Sequence, residues 1–124
     1  MKILLIEDDT FFQKFYSQKL AEAGYEVNTA SDGEEGLTTM RASRPDLILL
    51  DLVMPRKDGF EVLAEKAQSP DVAPIPVLVF STLGQEADVQ RAKSLGAADY
   101  VNKTFFDFDN LKAKIQAYLP KNPA

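Results

Sequence analysis

Acidic, hydroxyl and lysine side chains follow directly after three apolar runs and one further candidate strand of this sequence. A carboxylate beside so much apolar surface costs free energy unless it is paired or bound to a metal. Asp51 is the clearest case, because the apolar run Leu47–Leu50 leads straight into it. The groups in question are Glu7, Asp8 and Asp9 after residues 3–6, Asp51 after residues 47–50, Ser81 and Thr82 after residues 77–80, and Asn102 and Lys103 after residues 98–101.

Composition limits the chemistry open to these groups. The sequence contains no histidine and no cysteine, so any bound metal must be a hard cation held by oxygen atoms. Carboxylates brought close together raise one another's pKa unless a cation neutralises them, and Mg²⁺ suits them because it also keeps water and phosphate ligands. A central carboxylate can then attack phosphorus to form an aspartyl phosphate. A lysine and a hydroxyl would hold the phosphoryl oxygens.

Each residue alone also has a simpler structural explanation. Asp9 is better explained as a helix N-cap than as a ligand. Asp51 could be a hydrogen-bonded buried carboxylate, Ser81 or Thr82 a turn residue, and Lys103 a solvated surface charge. Their joint occurrence at the ends of apolar runs is what favours a shared site.

Apolar periodicity predicts the elements that position these groups. Unbroken apolar runs indicate buried strands, and the alternating residues 25–29 indicate a less protected one. Ser31 and Glu34 form a candidate capping box for the second helix, and Asp107 a cap for the last. The first helix presents Phe12, Phe15, Tyr16 and Leu20 on one face and ends near Gly24; further helices are predicted through residue 40, after Asp58, over residues 85–95 and over residues 107–119.

Strands that alternate with helices require crossover connections and therefore a parallel sheet. The prediction is a flavodoxin-like, doubly wound (βα)5 α/β fold with five parallel strands and helices on both faces. In such sheets ligands bind at the carboxyl ends of the strands, where the polar groups lie. The length of 124 residues predicts a single domain over 1–124 with no attached output domain.

Charge and hydropathy limit the kinds of partner and the cellular location expected for this protein. A net charge of -5 argues against a direct nucleic-acid surface. The apolar run before Glu7 is too short for a signal-peptide core, and no later run could span a membrane, so a cytoplasmic location is the default expectation.

Four segments resemble the receiver domain of two-component response regulators: I-L-L-I-E-D-D, D-L-I-L-L-D-L-V-M-P-R-K-D-G-F, P-V-L-V-F-S-T and G-A-A-D-Y-V-N-K. The resemblance covers essentially the whole chain. It implies that Asp51 is phosphorylated by a histidine kinase or histidine phosphotransfer protein. It further implies that Glu7 and Asp8 flank a bound Mg²⁺, with Asp8 as the direct ligand, and that Val53 offers the metal its backbone carbonyl.

The same resemblance implies a conformational switch. Ser81, or its neighbour Thr82, would bind a phosphoryl oxygen together with Lys103. Tyr100 would relay the change to a partner-binding face made of helix 85–95, strand 98–101 and helix 107–119. Plain core packing of a strand aromatic explains Tyr100 equally well.

One departure from the family pattern follows Lys103. The family usually has proline next, often after a cis bond, whereas this sequence has Thr104, Phe105 and Phe106. A cis bond without proline is costly, so we expect a trans bond or an altered loop. The phenylalanines are expected to serve as core and staple for the last helix.

Other functions fit the residues less well. Hydrolases that form an aspartyl phosphate use a D-x-D motif, and Asp51-Leu52-Val53 lacks the second carboxylate. Glu7 and its acidic neighbours would repel the phosphate of a flavodoxin-type cofactor. The expected protein is therefore a self-catalysed phosphoacceptor that also dephosphorylates itself, not a turnover enzyme, acting through a protein target, a relay or a homodimer. The retained alternative is a degenerate receiver that binds partners without phosphorylation.

Overall fold

The structure is a computed structural model and describes residues 1–103 and 107–119. Its described strands form one parallel sheet in the order β2-β1-β3-β4-β5, and helices connect successive strands. The elements are β1 Lys2–Ile6, α1 Thr10–Glu22, β2 Glu26–Ala30, α2 Gly33–Ser43, β3 Leu47–Leu50, α3 Gly59–Ala67, β4 Val77–Ser81, α4 Glu86–Ser94, β5 Asp99–Asn102 and α5 Phe108–Tyr118.

The central strands are buried on both faces, which explains their unbroken apolar runs. Alternate residues of β1 enter two different apolar clusters, because successive side chains of a strand point to opposite faces. Helices α2, α3 and α4 cover one face of the sheet, and α1 and α5 cover the other. The predicted doubly wound α/β fold is therefore confirmed.

Aspartates cap the starts of four described helices. Asp9 accepts a 3.1 Å hydrogen bond from the backbone N–H of Phe12, so its expected role as N-cap of α1 is confirmed. The predicted capping box of Ser31 and Glu34 is wrong. The chain stays extended through Asp32, which becomes the N-cap, and α2 begins one residue later than the pattern indicated.

Helix α1 buries only part of its predicted apolar face. Tyr16 and Leu20 are buried, but the side chains of Phe12 and Phe15 lie 38 and 45% exposed. The first turns of α1 start just after the carboxyl end of β1, where Phe12 borders a cleft and does not cover the sheet. Helical spacing predicted the shared face but not how much of it the folded protein buries.

The loop after β5 is described only up to Lys103. The predicted trans bond to Thr104, and the core roles of Phe105 and Phe106, fall on residues 104–106 and lie outside the described residues. Within α5, Leu111 and Ile115 are buried as predicted, and Phe108 packs against the same cluster. No helix in the described part of the chain is long and apolar enough to cross a membrane.

Candidate functional site

Three carboxylates meet at the carboxyl edge of the sheet. Strands β1 and β3 are neighbours, with Ile6 opposite Leu50, so the next residues, Glu7 and Asp51, emerge side by side. The backbone N–H of Asp51 donates to the carbonyl of Ile6 at 3.1 Å, which continues the ladder up to the acidic residues. One carboxylate oxygen each from Glu7, Asp8 and Asp51 lies within 4.8 Å of the others. The predicted acidic group is therefore formed.

Lys103 connects two of these carboxylates. Its Nζ donates to Oε1 of Glu7 and lies 3.3 Å from Oδ2 of Asp51. Its backbone N–H donates to the carbonyl of Ser81 at 2.9 Å, which ties the end of β5 to that of β4. The ammonium also lies 5.3 Å from the centre of the Phe80 ring, within cation–π range. Lys103 is thus a buried cation inside the acidic cluster and not the solvated surface charge of the simpler explanation.

Burial dominates the electrostatics of Glu7. Desolvation raises the pKa of Glu7 from 4.5 to about 6, against the opposing effect of Lys103, and the charge of Asp51 raises it further. The cluster holds three carboxylates and one ammonium, so negative charge remains uncompensated. An oxygen-only set of this kind fits a hard divalent cation such as Mg²⁺.

The chain segment after β3 holds Asp51 in a tight turn. The backbone N–H of Val53 lies 3.3 Å from Oδ1 of Asp51, and the side chain of Val53 is 53% exposed. A Cβ atom on Gly59 would lie 2.5 Å from the carbonyl oxygen of Asp51, so only glycine fits there. The predicted helix after Asp58 gave no indication of this contact between Gly59 and Asp51. An Asp-Gly pair soon after a buried strand was the available signal.

The cluster opens into a cleft of about 660 Å³ on the protein surface. Thr82 borders this cleft, whereas Ser81 is fully buried and its hydroxyl accepts from the backbone N–H of Leu83 at 3.3 Å. In this conformation Thr82, and not the predicted switch residue Ser81, faces the cleft. The lining residues are Glu7, Asp8, Asp9, Phe12, Tyr16, Asp51, Val53, Thr82 and Lys103.

Tyr100 lies in β5 with its ring half-buried. Its hydroxyl donates to the backbone carbonyl of Leu83, in the loop that follows β4, and its ring packs against the cluster on that face. Burial raises the pKa of the Tyr100 phenol, and the charge of Asp88 adds to the effect. Tyr100 is therefore both a packed strand aromatic and a direct link to the loop beside Ser81.

The start of α1 carries exposed aromatic side chains, and one of them borders the cleft. Phe11 is 69% exposed, and its ring stacks on that of Phe15 with centroids 6.2 Å apart. Phe12 stacks on Tyr16 at 5.9 Å and borders the acidic cluster. We call Phe11, Phe12 and Phe15 the α1 aromatic strip. Its signal in the sequence was the pair Phe11-Phe12, which follows the acidic residues 7–9 after one threonine.

The comparisons with known proteins point to one protein family. The family model for the response regulator receiver domain matches residues 3–116. The DNA-binding dual master transcriptional regulator RpaA of Synechocystis is 39% identical over 118 residues, which are 95% of this chain and 48% of that protein. The chain thus spans about half the length of the curated relatives it matches.

Solved structures agree with this match. The chemotaxis protein CheY4 of Vibrio cholerae is 31% identical, with a TM-score of 0.88 over 95% of this chain and 98% of that one. The Mn²⁺-bound form of the response regulator Rcp1 is 33% identical, with a TM-score of 0.81 over 99% of both chains. The chain therefore belongs to the response regulator receiver domain family.

Proposed function

We propose that this domain is a phosphorylation-dependent signalling switch whose acceptor is Asp51. The observation that carries the proposal is the bridging position of Lys103, between Glu7 and Asp51 in a cluster of three carboxylates. A carboxylate oxygen of Asp51 attacks phosphorus, and the bond from phosphorus to the donor's histidine nitrogen breaks. The histidine leaves with the electron pair of that bond and later takes up a proton from water.

Glu7, Asp8 and Asp51 are the residues we propose for the Mg²⁺ site, together with the backbone carbonyl of Val53. When bound, the ion neutralises the charge of the incoming phosphoryl group. Lys103 lies 3.3 Å from the acceptor carboxylate, so its ammonium can turn to a phosphoryl oxygen once Asp51 is modified. The carboxylate of Asp51 loses its negative charge when it forms the acyl phosphate, which also frees Lys103 from part of its present pairing.

Ser81 and Tyr100 are the residues we propose for the relay. The Ser81 hydroxyl accepts from the backbone N–H of Leu83, so movement of this hydroxyl toward a phosphoryl oxygen would pull on the loop that carries Leu83. The carbonyl of Leu83 is at the same time the acceptor for the Tyr100 hydroxyl. Movement of this loop therefore releases Tyr100 and alters the face made by α4, β5 and α5. That face is the proposed surface for a downstream protein or for a second copy of the chain.

The phosphodonor, a histidine kinase or histidine phosphotransfer protein, must reach Asp51 through the cleft. Val53 and Phe12 supply apolar side chains to the lining of that cleft, and Phe12 belongs to the exposed α1 aromatic strip. Exposed apolar side chains grouped in this way are typical of a protein-interaction surface. We therefore propose that the donor protein covers the strip while its histidine enters the cleft.

Phosphorylation tests the proposal directly. The protein is incubated with Mg²⁺ and acetyl phosphate, and its intact mass is measured. We expect one phosphoryl adduct on the wild type and on Asp71→Asn, an exposed aspartate control, and none on Asp51→Asn. A wild type without an adduct refutes the proposal and favours the degenerate receiver, whereas an undiminished adduct on Asp51→Asn shows that another residue is the acceptor.

Several finer expectations remain predictions. They are self-dephosphorylation, the lack of turnover chemistry, a cytoplasmic location, homodimer formation and the organisation of residues 1–124 as one domain. The absence of direct nucleic-acid binding also remains a prediction, and one relative of about twice the length is named as a DNA-binding regulator. The decay of the adduct after removal of acetyl phosphate measures self-dephosphorylation.

A further inference from the structure

Arg56, five residues after the acceptor, has an unusual backbone conformation. Its φ of 66° lies in the left-handed region, which side chains other than glycine rarely adopt. The backbone N–H of Lys57 donates to the carbonyl of Pro55 at 2.7 Å, so the chain closes a three-residue turn around Arg56. Such a conformation persists only where surrounding contacts enforce it.

Asp32 supplies one enforcing contact from another element. Its side chain is 5% exposed, and Oδ1 accepts from the backbone N–H of Glu35 at 2.9 Å at the start of α2. Oδ2 accepts from the guanidinium of Arg56. The backbone hydrogen bond and the nearby Arg56 keep the pKa of Asp32 below its usual range, so the pair is charged at neutral pH. A buried carboxylate thus anchors an exposed arginine.

The next residue, Lys57, ties the same loop to the same helix. Its Nζ lies 2.7 Å from a carboxylate oxygen of Glu34 in α2 and 2.6 Å from one of Glu65 in α3. The backbones also press together, because a Cβ atom on Gly33 would lie 2.3 Å from the carbonyl oxygen of Lys57. The tip of the β3–α3 loop, residues 52–58, is therefore held against the start of α2.

The base of this loop is held separately. The backbone N–H of Gly59 donates to the carbonyl of Leu52 at 3.0 Å. Val53 lies between base and tip, with its own side chain exposed and the buried residues Leu52 and Met54 on either side. The Val53 carbonyl therefore lies in the segment whose two ends these contacts fix.

We propose that the Asp32–Arg56 ion pair is a positioning device that fixes the β3–α3 loop and thereby sets the affinity of the acidic site for a divalent cation. The metal part of this inference rests on the proposed function, which gives the Val53 carbonyl to the ion. The pair acts as outer support, because neither residue belongs to the cluster of carboxylates.

Two variants separate the ion pair from its surroundings. Asp32→Asn removes the charge but keeps an oxygen that can cap α2, and Arg56→Gly removes the pair while favouring the same positive φ. Arg56→Lys keeps the charge and serves as the conservative variant. Asp99→Asn is the matched control, because it breaks another ion pair at the start of β5, the opposite end of the sheet. Circular dichroism and thermal unfolding establish that each variant is folded.

Mg²⁺ affinity is measured by calorimetry, and hydrogen exchange of the Val53 and Gly59 amides is measured without metal. We expect Asp32→Asn and Arg56→Gly each to weaken Mg²⁺ binding about tenfold and to speed exchange in the loop. The double variant should be no worse than either single one, because the two residues act as a pair. Arg56→Lys should recover part of the affinity, and Asp99→Asn should match the wild type.

Wild-type affinity and wild-type loop exchange in folded Arg56→Gly would overturn the inference. This variant decides the matter if Asp32→Asn fails to fold, because the Arg56 side chain is 73% exposed. Additive effects in the double variant would also contradict a shared pair. A wild-type protein that binds no Mg²⁺ would refute the proposed function and the metal part of this inference, whereas loop exchange would still decide whether the pair holds the loop.

Discussion

Glu7 is a buried carboxyl that is more costly to ionise in the folded protein than in the unfolded chain. Burial raises the pKa of Glu7 from 4.5 to about 6, and each pH unit corresponds to 1.36 kcal/mol. Ionised Glu7 therefore reduces the free energy of unfolding by about 1–2 kcal/mol. Glutamine resembles the protonated form, so we expect Glu7→Gln to stabilise the metal-free protein by about this amount at neutral pH.

The sign of the pH dependence follows from the two protonation states. Below pH 4.5 the carboxyl is protonated in both the folded and the unfolded chain, so Glu7→Gln should have little effect. Between pH 4.5 and about 6 the unfolded chain loses its proton first, and the advantage of the variant should grow. Above about pH 6 the advantage should be constant.

Urea unfolding in the presence of a metal chelator measures this difference across the pH range. Glu22→Gln, on the exposed surface of α1, is the matched control and should not change stability. Saturating Mg²⁺ should reduce or reverse the advantage of Glu7→Gln, because the ion offsets the charge of the wild-type carboxylate. A stability difference that is the same at pH 4 and pH 7, or a destabilised variant, would show that burial of Glu7 is not what raises its pKa.

Three further predictions concern packing, pairing and docking. Gly59→Ala should lower the free energy of unfolding by about 1–3 kcal/mol, because its Cβ meets backbone atoms; an unchanged urea midpoint would contradict the close approach. Asp99→Asn should lose about 0.5–1 kcal/mol, because the Asp99 carboxylate accepts from Lys114. Burial opposes ionisation of Asp99, but the bonds from Lys114 and neighbouring donors lower its pKa overall, so the loss should disappear as pH falls through that pKa. Phe11→Ser should leave stability and phosphorylation by acetyl phosphate unchanged but slow transfer from a phosphohistidine protein. If a phosphohistidine protein phosphorylates Phe11→Ser as fast as the wild type, the α1 aromatic strip is not part of the docking surface.

Local patterns were sufficient to predict most of the fold. Unbroken apolar runs identified the central strands because both faces of the sheet are covered, and helical spacing identified α5 through Leu111 and Ile115. The acidic and lysine residues at the strand ends were predicted to converge, since parallel strands place their carboxyl ends at one edge. The structure brings Glu7, Asp8, Asp51 and Lys103 together there.

Features that depend on neighbouring elements were predicted less well. The N-cap of α2 lies at Asp32 and not at Ser31, because the backbone remains extended for one more residue. Spacing placed Phe12 and Phe15 on the apolar face of α1 without indicating that both lie partly exposed in the folded protein. The position of the α2 N-cap and the exposure of the two phenylalanines both depend on the tertiary structure around each helix.

The sequence by itself determined the alternation of strands and helices, the absence of histidine and cysteine ligands, and the order in which polar groups follow the strands. Those properties depend on residue type and spacing along the chain. Only the tertiary structure decided that Ser81 is buried while Thr82 borders the cleft, and that Lys103 bridges Glu7 and Asp51. It also decided that Asp32 holds Arg56 across two loops. Such contacts join residues distant in sequence, so only the packing of the elements can bring them together.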